Sequence, residues 1–180
     1  MNKILKLTFI LFLICAITAG ILGVVNALTE ERIYIQKNAK TFEAYAAVLD
    51  SESYAPVDFD KAAFPSVESI NEASNGAGYV VVSTFSGAQG NITMAVGVDT
   101  DYKCTGISII EHSETSGLGA NAASASEIGQ NFRARFVGQD ESIALTKASG
   151  TIDALAGATI TSRAVTEATA TSIAAVKSLG

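Results

Sequence analysis

The sequence predicts an α+β protein: a single N-terminal transmembrane helix, then one exported domain with an antiparallel sheet and flanking helices. Three observations carry this. Residues 7–28 read LTFILFLICAITAGILGVVNAL, 22 positions without a charge. Residues 78–110 hold three β-rich runs, the first two joined by a Gly-rich turn. Residues 162–178 repeat apolar positions at helical spacing. Neighbouring strands followed by helices that pack on the sheet give an α+β arrangement.

Composition narrows the function before any motif is read. The 180 residues carry 12 Lys and Arg against 18 Asp and Glu, a net charge of −6. Beyond the apolar run the balance is 10 against 18, or −8. Nucleic-acid binding depends on neutralising phosphates with Lys and Arg, so no nucleic-acid partner is expected. About 150 residues remain after the run, enough for one domain with a real core and hardly for two. With 48% hydrophobic and 17% charged residues, wholesale disorder is excluded. Two cysteines, Cys15 and Cys104, and a lone histidine, His112, exclude a disulfide framework and a multi-histidine metal site.

At 1.5 Å rise per residue, 22 uncharged residues span a hydrocarbon core of roughly 30 Å. Lys3 and Lys6 flank one end, and Glu30, Glu31 and Arg32 the other. By the positive-inside rule the N-terminus is cytoplasmic and the domain lies outside. The rival reading is a cleaved signal peptide, with Val25-Asn26-Ala27 as a small-x-small site. The run exceeds the usual 7–15-residue core of a signal peptide, which favours an uncleaved anchor. Either way the domain is exported.

Residues 32–49 place Ile35, Ala39, Phe42, Ala46 and Leu49 at three- and four-residue steps, predicting a helix that continues the anchor as a stalk. Residues 51–76 contain both prolines, Pro56 and Pro65, and read as loop with one short helix near 66–73. Residues 78–85 and 91–98, separated by the turn at 86–90, read as a hairpin. Residues 104–110 form a third strand. Residues 126–136 read as a helix with Ile128, Phe132 and Phe136 on one face, 142–146 as a short strand, and 162–178 as the last helix. Its buried stripe is Val165, Ala168, Ser172 or Ile173, and Val176. The expected division is 1–29 anchor, 30–76 stalk and loop region, and 77–180 domain.

Two segments are not accounted for by packing. In Asp153-Ala-Leu-Ala-Gly-Ala-Thr-Ile-Thr-Ser162, Gly157 permits a tight turn, and Thr159, Thr161 and Ser162 bring three hydroxyls to a helix N-terminus. Free N–H groups and the helix dipole favour a phosphate there, and Arg163 can add a charge-assisted hydrogen bond. The plainer reading is an N-cap. In His112-Ser-Glu-Thr-Ser-Gly-Leu-Gly119 a strand runs into a polar glycine turn. Such a turn either lines a ligand pocket or simply connects elements at the surface. His112 contacts a ligand or partner, or only ends the strand, and Cys104 in an apolar strand reads as a small core residue.

The stretch Asp153-x-x-Ala-Gly-Ala-Thr159-x-Thr161 resembles the flavinylation motif Asp-x-x-(Ser/Thr)-Gly-Ala-Thr-x-(Ser/Thr). The stretch His112-x-Glu-Thr-Ser-Gly-Leu-Gly119 resembles a second signature, His-x-Glu-Thr-Pro-Gly-Leu-Gly. About 40 residues apart, on an exported domain behind one apolar helix, the pair resembles the G subunit of Rnf electron-transport complexes. The C subunit of sodium-pumping NADH:quinone reductases is its relative. The resemblance implies an FMN-binding domain with FMN esterified through its phosphate to Thr159, by a flavin transferase that recognises the motif including Asp153. It further implies that Glu114, Thr115, Gly117 and Leu118 approach the isoalloxazine ring, while Gly157, Ala158 and Thr161 complete the phosphate-side motif. Asp153 has the alternative role of turning the chain. Ala156 stands where the motif has Ser or Thr, and Ser116 where it has Pro; neither is the attacking hydroxyl.

The implied function is an electron relay in a bacterial plasma-membrane complex that couples ferredoxin/NAD electron transfer to Na⁺ or H⁺ movement. Its partners would be the other membrane subunits, with no substrate turnover of its own. The alternatives are a stand-alone exported flavinylated carrier and the related quinone-reductase subunit.

Overall fold

The computed structural model describes residues 3–180, apart from the side chains of residues 4 and 26–38. They fall into two compact units, Met1–Lys40 and Thr41–Gly180. Helix α1 (Lys3–Val48) supplies the described part of the first unit and the opening turns of the second.

In the first unit, Leu5–Val25 is a 21-residue span of mean hydropathy 2.6, long and apolar enough to cross a membrane. Its large side chains, among them Phe9, Phe12 and Leu22, are exposed. The Thr18 hydroxyl donates to the carbonyls of Ile14 and Cys15, so it is satisfied within the helix, as an apolar surrounding demands. The expected anchor at 7–28 coincides with this span up to residue 25; the side chains of 26–28 lie outside the described residues.

The second unit is built on one antiparallel sheet in the order β1-β2-β3-β4-β5: β1 (Tyr54–Val57), β2 (Val67–Ala73), β3 (Gly78–Ser86), β4 (Asn91–Asp99) and β5 (Cys104–Glu111). Both faces of its centre are covered. Val81, Met94, Val96 and Ile107 join a core with Phe132 and Phe136 of α2 (Glu127–Ala134) and its flank, and with Val165, Ala168, Ile173 and Val176 of α3 (Thr159–Lys177). Val80, Val82 and Ala95 pack instead with Ala44, Tyr45, Val48 and Leu49 from the end of α1. Burial on both faces is why β3 reads as consecutive valines rather than alternating residues. The end of α1 fits over a paired Gly97–Gly106 step, where Thr105 Oγ1 donates to the Val48 carbonyl.

The hairpin and the third strand stand where the sequence places them, the last helix starts three residues earlier, and five expectations need correction. Residues 54–57 are strand β1, paired antiparallel with β2, not loop. Residues 66–73 are strand β2, not a short helix. Val67, Ile70 and Ala73 mimic helical spacing because a register shift between Val67 and Ser69 turns Val67 and Ile70 to one core, while Ala73 joins the other. Residues 142–146 form no strand; Leu145 makes an isolated parallel bridge to Ile152. On α2, Phe132 and Phe136 are buried edge-to-face at 5.2 Å, but Ile128 is exposed. Gly129 points inward in its place, so close to the carbonyls of Asn121 and Ser124 that no side chain fits. On α1, Ala39, Phe42 and Ala46 are exposed, and Ala44, Tyr45, Val48 and Leu49 are buried, because only the last turns meet the sheet. The side chain of Ile35 lies outside the described residues.

Candidate functional site

Three segments meet beside one end of the sheet: the β3–β4 turn at residues 87–90, the segment 112–119 after β5, and the first turn of α3. Between them lies a cleft of about 370 Å³, within the roughly 300–1,000 Å³ of small-molecule sites.

The carboxylate of Glu114, only 8% exposed, joins the three segments. Its Oε1 accepts the N–H groups of Ala88 at 2.8 Å and Gln89 at 3.0 Å, and its Oε2 accepts the hydroxyl of Thr161. The fit depends on glycine. A Cβ at Gly119 would lie 2.5 Å from Thr161 Oγ1, and one at Gly87 would stand 2.7 Å from Ile92 Cδ1 and closer still to Glu114. Burial raises the carboxyl pKa of Glu114. The hydrogen bonds from Thr161, Gln89 and Ala88, with the charge of nearby His112, outweigh it and bring the pKa below its ordinary value. Glu114 is therefore a carboxylate at neutral pH.

Helix α3 starts at Thr159, three residues before the expected start. Its N-cap position is Ala158, whose methyl cannot cap it, and no side chain among the described residues accepts from the N–H groups of the helix start. The three hydroxyls expected together have separate fates. Ser162 Oγ donates to the Ala158 carbonyl and accepts the Leu155 N–H, each at 2.9 Å. Thr161 donates to Glu114. Thr159, half-buried at the cleft, has no hydrogen-bond partner for its hydroxyl among the described residues. Arg163 is exposed in the same turn. The simple N-cap reading is thus overturned: none of these hydroxyls caps the helix.

Of the residues singled out from the sequence, Glu114, Thr115, Leu118, Gly157, Ala158, Thr159 and Thr161 line the cleft. Gly117 does not line it; at φ +78° it shapes the turn, and its carbonyl accepts Asn121 Nδ2 at 2.9 Å. Asp153 is also away from it. Its Oδ1 accepts the Thr146 hydroxyl at 2.8 Å, and Arg135 bonds its carbonyl at 2.9 Å. His112 Nδ1 accepts the Glu114 N–H at 3.2 Å, fixing the turn out of β5. Ala156 and Ser116 are exposed. Cys104 is buried in the core, its thiol pKa pushed up to about 12 chiefly by burial.

Three lining residues have no part in the sequence reading, Ala88, Gln89 and Ile160; Gly119, the last position of the second signature, lines the cleft as well. Ala88 and Gln89 act on Glu114 through backbone N–H groups, which leave no mark on residue type. The only available signal was the Gly87…Gly90 pair framing their turn. Ile160 is 56% exposed and Leu118 44%, so the cleft mouth carries two large apolar side chains.

Residues 87–174 match the FMN-binding domain family, and residues 1–48 match the RnfG N-terminal region. The chain is 32% identical to the G subunit of the ion-translocating oxidoreductase complex of Methanosarcina acetivorans, over 93% of this chain and 91% of that one. It is also 32% identical to the G subunit of the Na⁺-translocating ferredoxin:NAD⁺ oxidoreductase complex of Acetobacterium woodii, over 98% and 93%. Among solved structures, the C subunit of the Na⁺-translocating NADH-quinone reductase of Parabacteroides distasonis aligns at 26% identity and a TM-score of 0.46, covering 65% of this chain and 64% of that one. With both sequence regions matched and relatives aligned nearly end to end, the chain belongs to the family of G subunits of ion-translocating oxidoreductase complexes, built on an FMN-binding domain.

Proposed function

We propose that this chain is the membrane-anchored flavin subunit of an Rnf-type complex, carrying FMN as a phosphoester on Thr159 and relaying electrons between neighbouring subunits. The observation that carries the attachment is the Thr159 hydroxyl. It has no partner among the described residues, lies at the cleft, and opens a 19-residue helix whose N-cap offers no side chain. A phosphate ester there keeps one negative charge, which the free N–H groups and the helix dipole hold without a cluster of basic side chains.

The lining fits the group on both ends. The uncapped helix start suits the phosphate, and Leu118 with Ile160 offers apolar surface to a flat ring. In the loading step Thr159 Oγ forms a P–O bond as the anhydride P–O bond of an activated flavin dinucleotide breaks. The nucleotide fragment leaves with the bonding pair, and the hydroxyl proton passes to solvent. A flavin transferase catalyses this, so it is a maturation partner. Asp153, outside the cleft, is available for recognition by that enzyme. FMN, when bound, takes up and releases one or two electrons. The chain's own residues attach it, shape the apolar mouth and hold the cleft walls together.

Lys3 and Lys6 on the N-terminal side of the apolar span support, by the positive-inside rule, an orientation with the domain outside the cytoplasm. There it cannot meet cytoplasmic NADH, so electrons pass to and from other subunits. The Acetobacterium woodii relative is named for Na⁺ translocation with ferredoxin:NAD⁺ oxidoreduction. A complex of that type couples such electron transfer to Na⁺ or H⁺ movement.

Intact mass of the full chain, produced with a flavin transferase, tests the proposal. Wild type gains one FMN less one water and keeps flavin fluorescence under denaturing conditions; Thr159→Ala gains neither. An unmodified wild type, or a modified Thr159→Ala, would overturn it.

A further inference from the structure

We propose that Glu114 and Thr161 are a positioning pair for flavin attachment, acting by locking the cleft walls together rather than by touching the flavin. The pair joins parts of the chain 47 residues apart in sequence, and Glu114 also reaches back 25 and 26 residues to Gln89 and Ala88. Thr161 is 1% exposed and Glu114 8%, so the lock is almost wholly buried within the cleft wall. Both carboxylate oxygens are engaged, which leaves Glu114 poorly placed to serve a ligand as well.

The lock separates two hydroxyls on one helical turn. With Thr161 turned onto Glu114, Thr159 remains unengaged at the cleft mouth. Without the lock, the β3–β4 turn and the segment carrying Thr115 and Leu118 lose their tie to the first turn of α3, and the attacking hydroxyl loses its fixed setting. The glycines show how closely the parts are matched, since a Cβ at Gly87 or Gly119 would collide with the pair or its surroundings. Attack on phosphorus needs a fixed oxygen, and small misplacements of reacting groups are costly in rate.

The inference rests on the attachment proposed for Thr159, and a time course of adduct formation separates the two. The full chain in detergent micelles is incubated with a flavin transferase and a flavin dinucleotide, comparing wild type with Thr161→Ser, Thr161→Val, Glu114→Gln and Glu114→Ala. Thermal unfolding of each unloaded variant is followed in parallel. Thr161→Ser keeps the donor, and Glu114→Gln keeps an acceptor for the two N–H groups and a polar contact with Thr161. Both load within about threefold of wild type, whereas Thr161→Val and Glu114→Ala load more than about tenfold slower. Thr161→Val is isosteric, and the Ser variant is the rescue that distinguishes the hydroxyl bridge from packing. Equal rates for Ser and Val, or wild-type rates for Val and Glu114→Ala, overturn the pair's role and leave the attachment intact. Should Glu114→Ala fail to fold, the Ser–Val comparison decides. A wild type that gains no adduct overturns both proposals.

Discussion

Thr159 and Thr161 stand two residues apart in the first turn of α3, yet one hydroxyl is buried on the Glu114 carboxylate and the other has no partner among the described residues. A helix repeats every 3.6 residues, so positions i and i+2 face different directions. Residue identity makes the two alike; helical geometry makes one a tie in the wall and the other the free group at its surface.

The position before this turn is equally constrained. Gly157 has φ +70°, and a Cβ there would lie 3.0 Å from Leu118 Cδ2. A left-handed backbone costs a non-glycine residue about 1–2 kcal/mol, and Leu118 would have to shift as well. Gly157→Ala is expected to lower unfolding free energy by about that amount. Denaturant titration reads the cost, and a neutral result would show that the turn relaxes freely.

Glu114 gives the domain a pH dependence of known sign. Its folded pKa is lowered relative to the unfolded carboxyl. Its contribution is therefore complete above the unfolded value of about 4.3 and is lost as pH falls through the lower folded value. Wild type should lose more stability than Glu114→Gln between about pH 5 and pH 3. Denaturation midpoints across that range test this; parallel curves would mean that the carboxylate contributes no net stability.

On the opposite face of the sheet, a Cβ added at Gly97 would lie 2.5 Å from the Val48 carbonyl oxygen, with Thr105 Oγ1 also in the way. Both obstacles are part of one hydrogen bond that ties the end of α1 to β5. Gly97→Ala should destabilise the domain by about 1–3 kcal/mol, the usual cost of overpacking. A lowered denaturation midpoint with an unchanged slope is the expected signature.

The Cys104 thiol, 1% exposed with its pKa raised to about 12, should resist maleimide at pH 8 in the folded chain and react on unfolding. Labelling of the native domain at the rate of a free thiol, mapped to Cys104, would contradict the core placement.

Legibility in the sequence followed the physics of each element. β3, β4, β5 and α3 were readable because their burial writes itself into residue type: Val80, Val81 and Val82 lie between two cores, and Val165, Ala168, Ile173 and Val176 mark one helical face. β2 was unreadable because a bulge after Val67 imposes a three-residue step on a strand. The motif residues of the cleft were visible as residue types, and most of them line it. The tie between Glu114 and Thr161 was not, since nothing local couples residues 47 apart. Ala88 and Gln89 were hidden for another reason: their role is carried by N–H groups that any non-proline residue has.

The most direct test of the account is the site of the flavin ester. Wild-type protein loaded by a flavin transferase is digested, and the peptide spanning residues 154–163 is fragmented to separate Thr159, Thr161 and Ser162. An intact phosphoflavin is expected on Thr159 alone, because the other two hydroxyls are engaged on Glu114 and on Ala158. Flavin on Thr161 or Ser162, or a flavin removed by denaturation with the peptide unmodified, would contradict it.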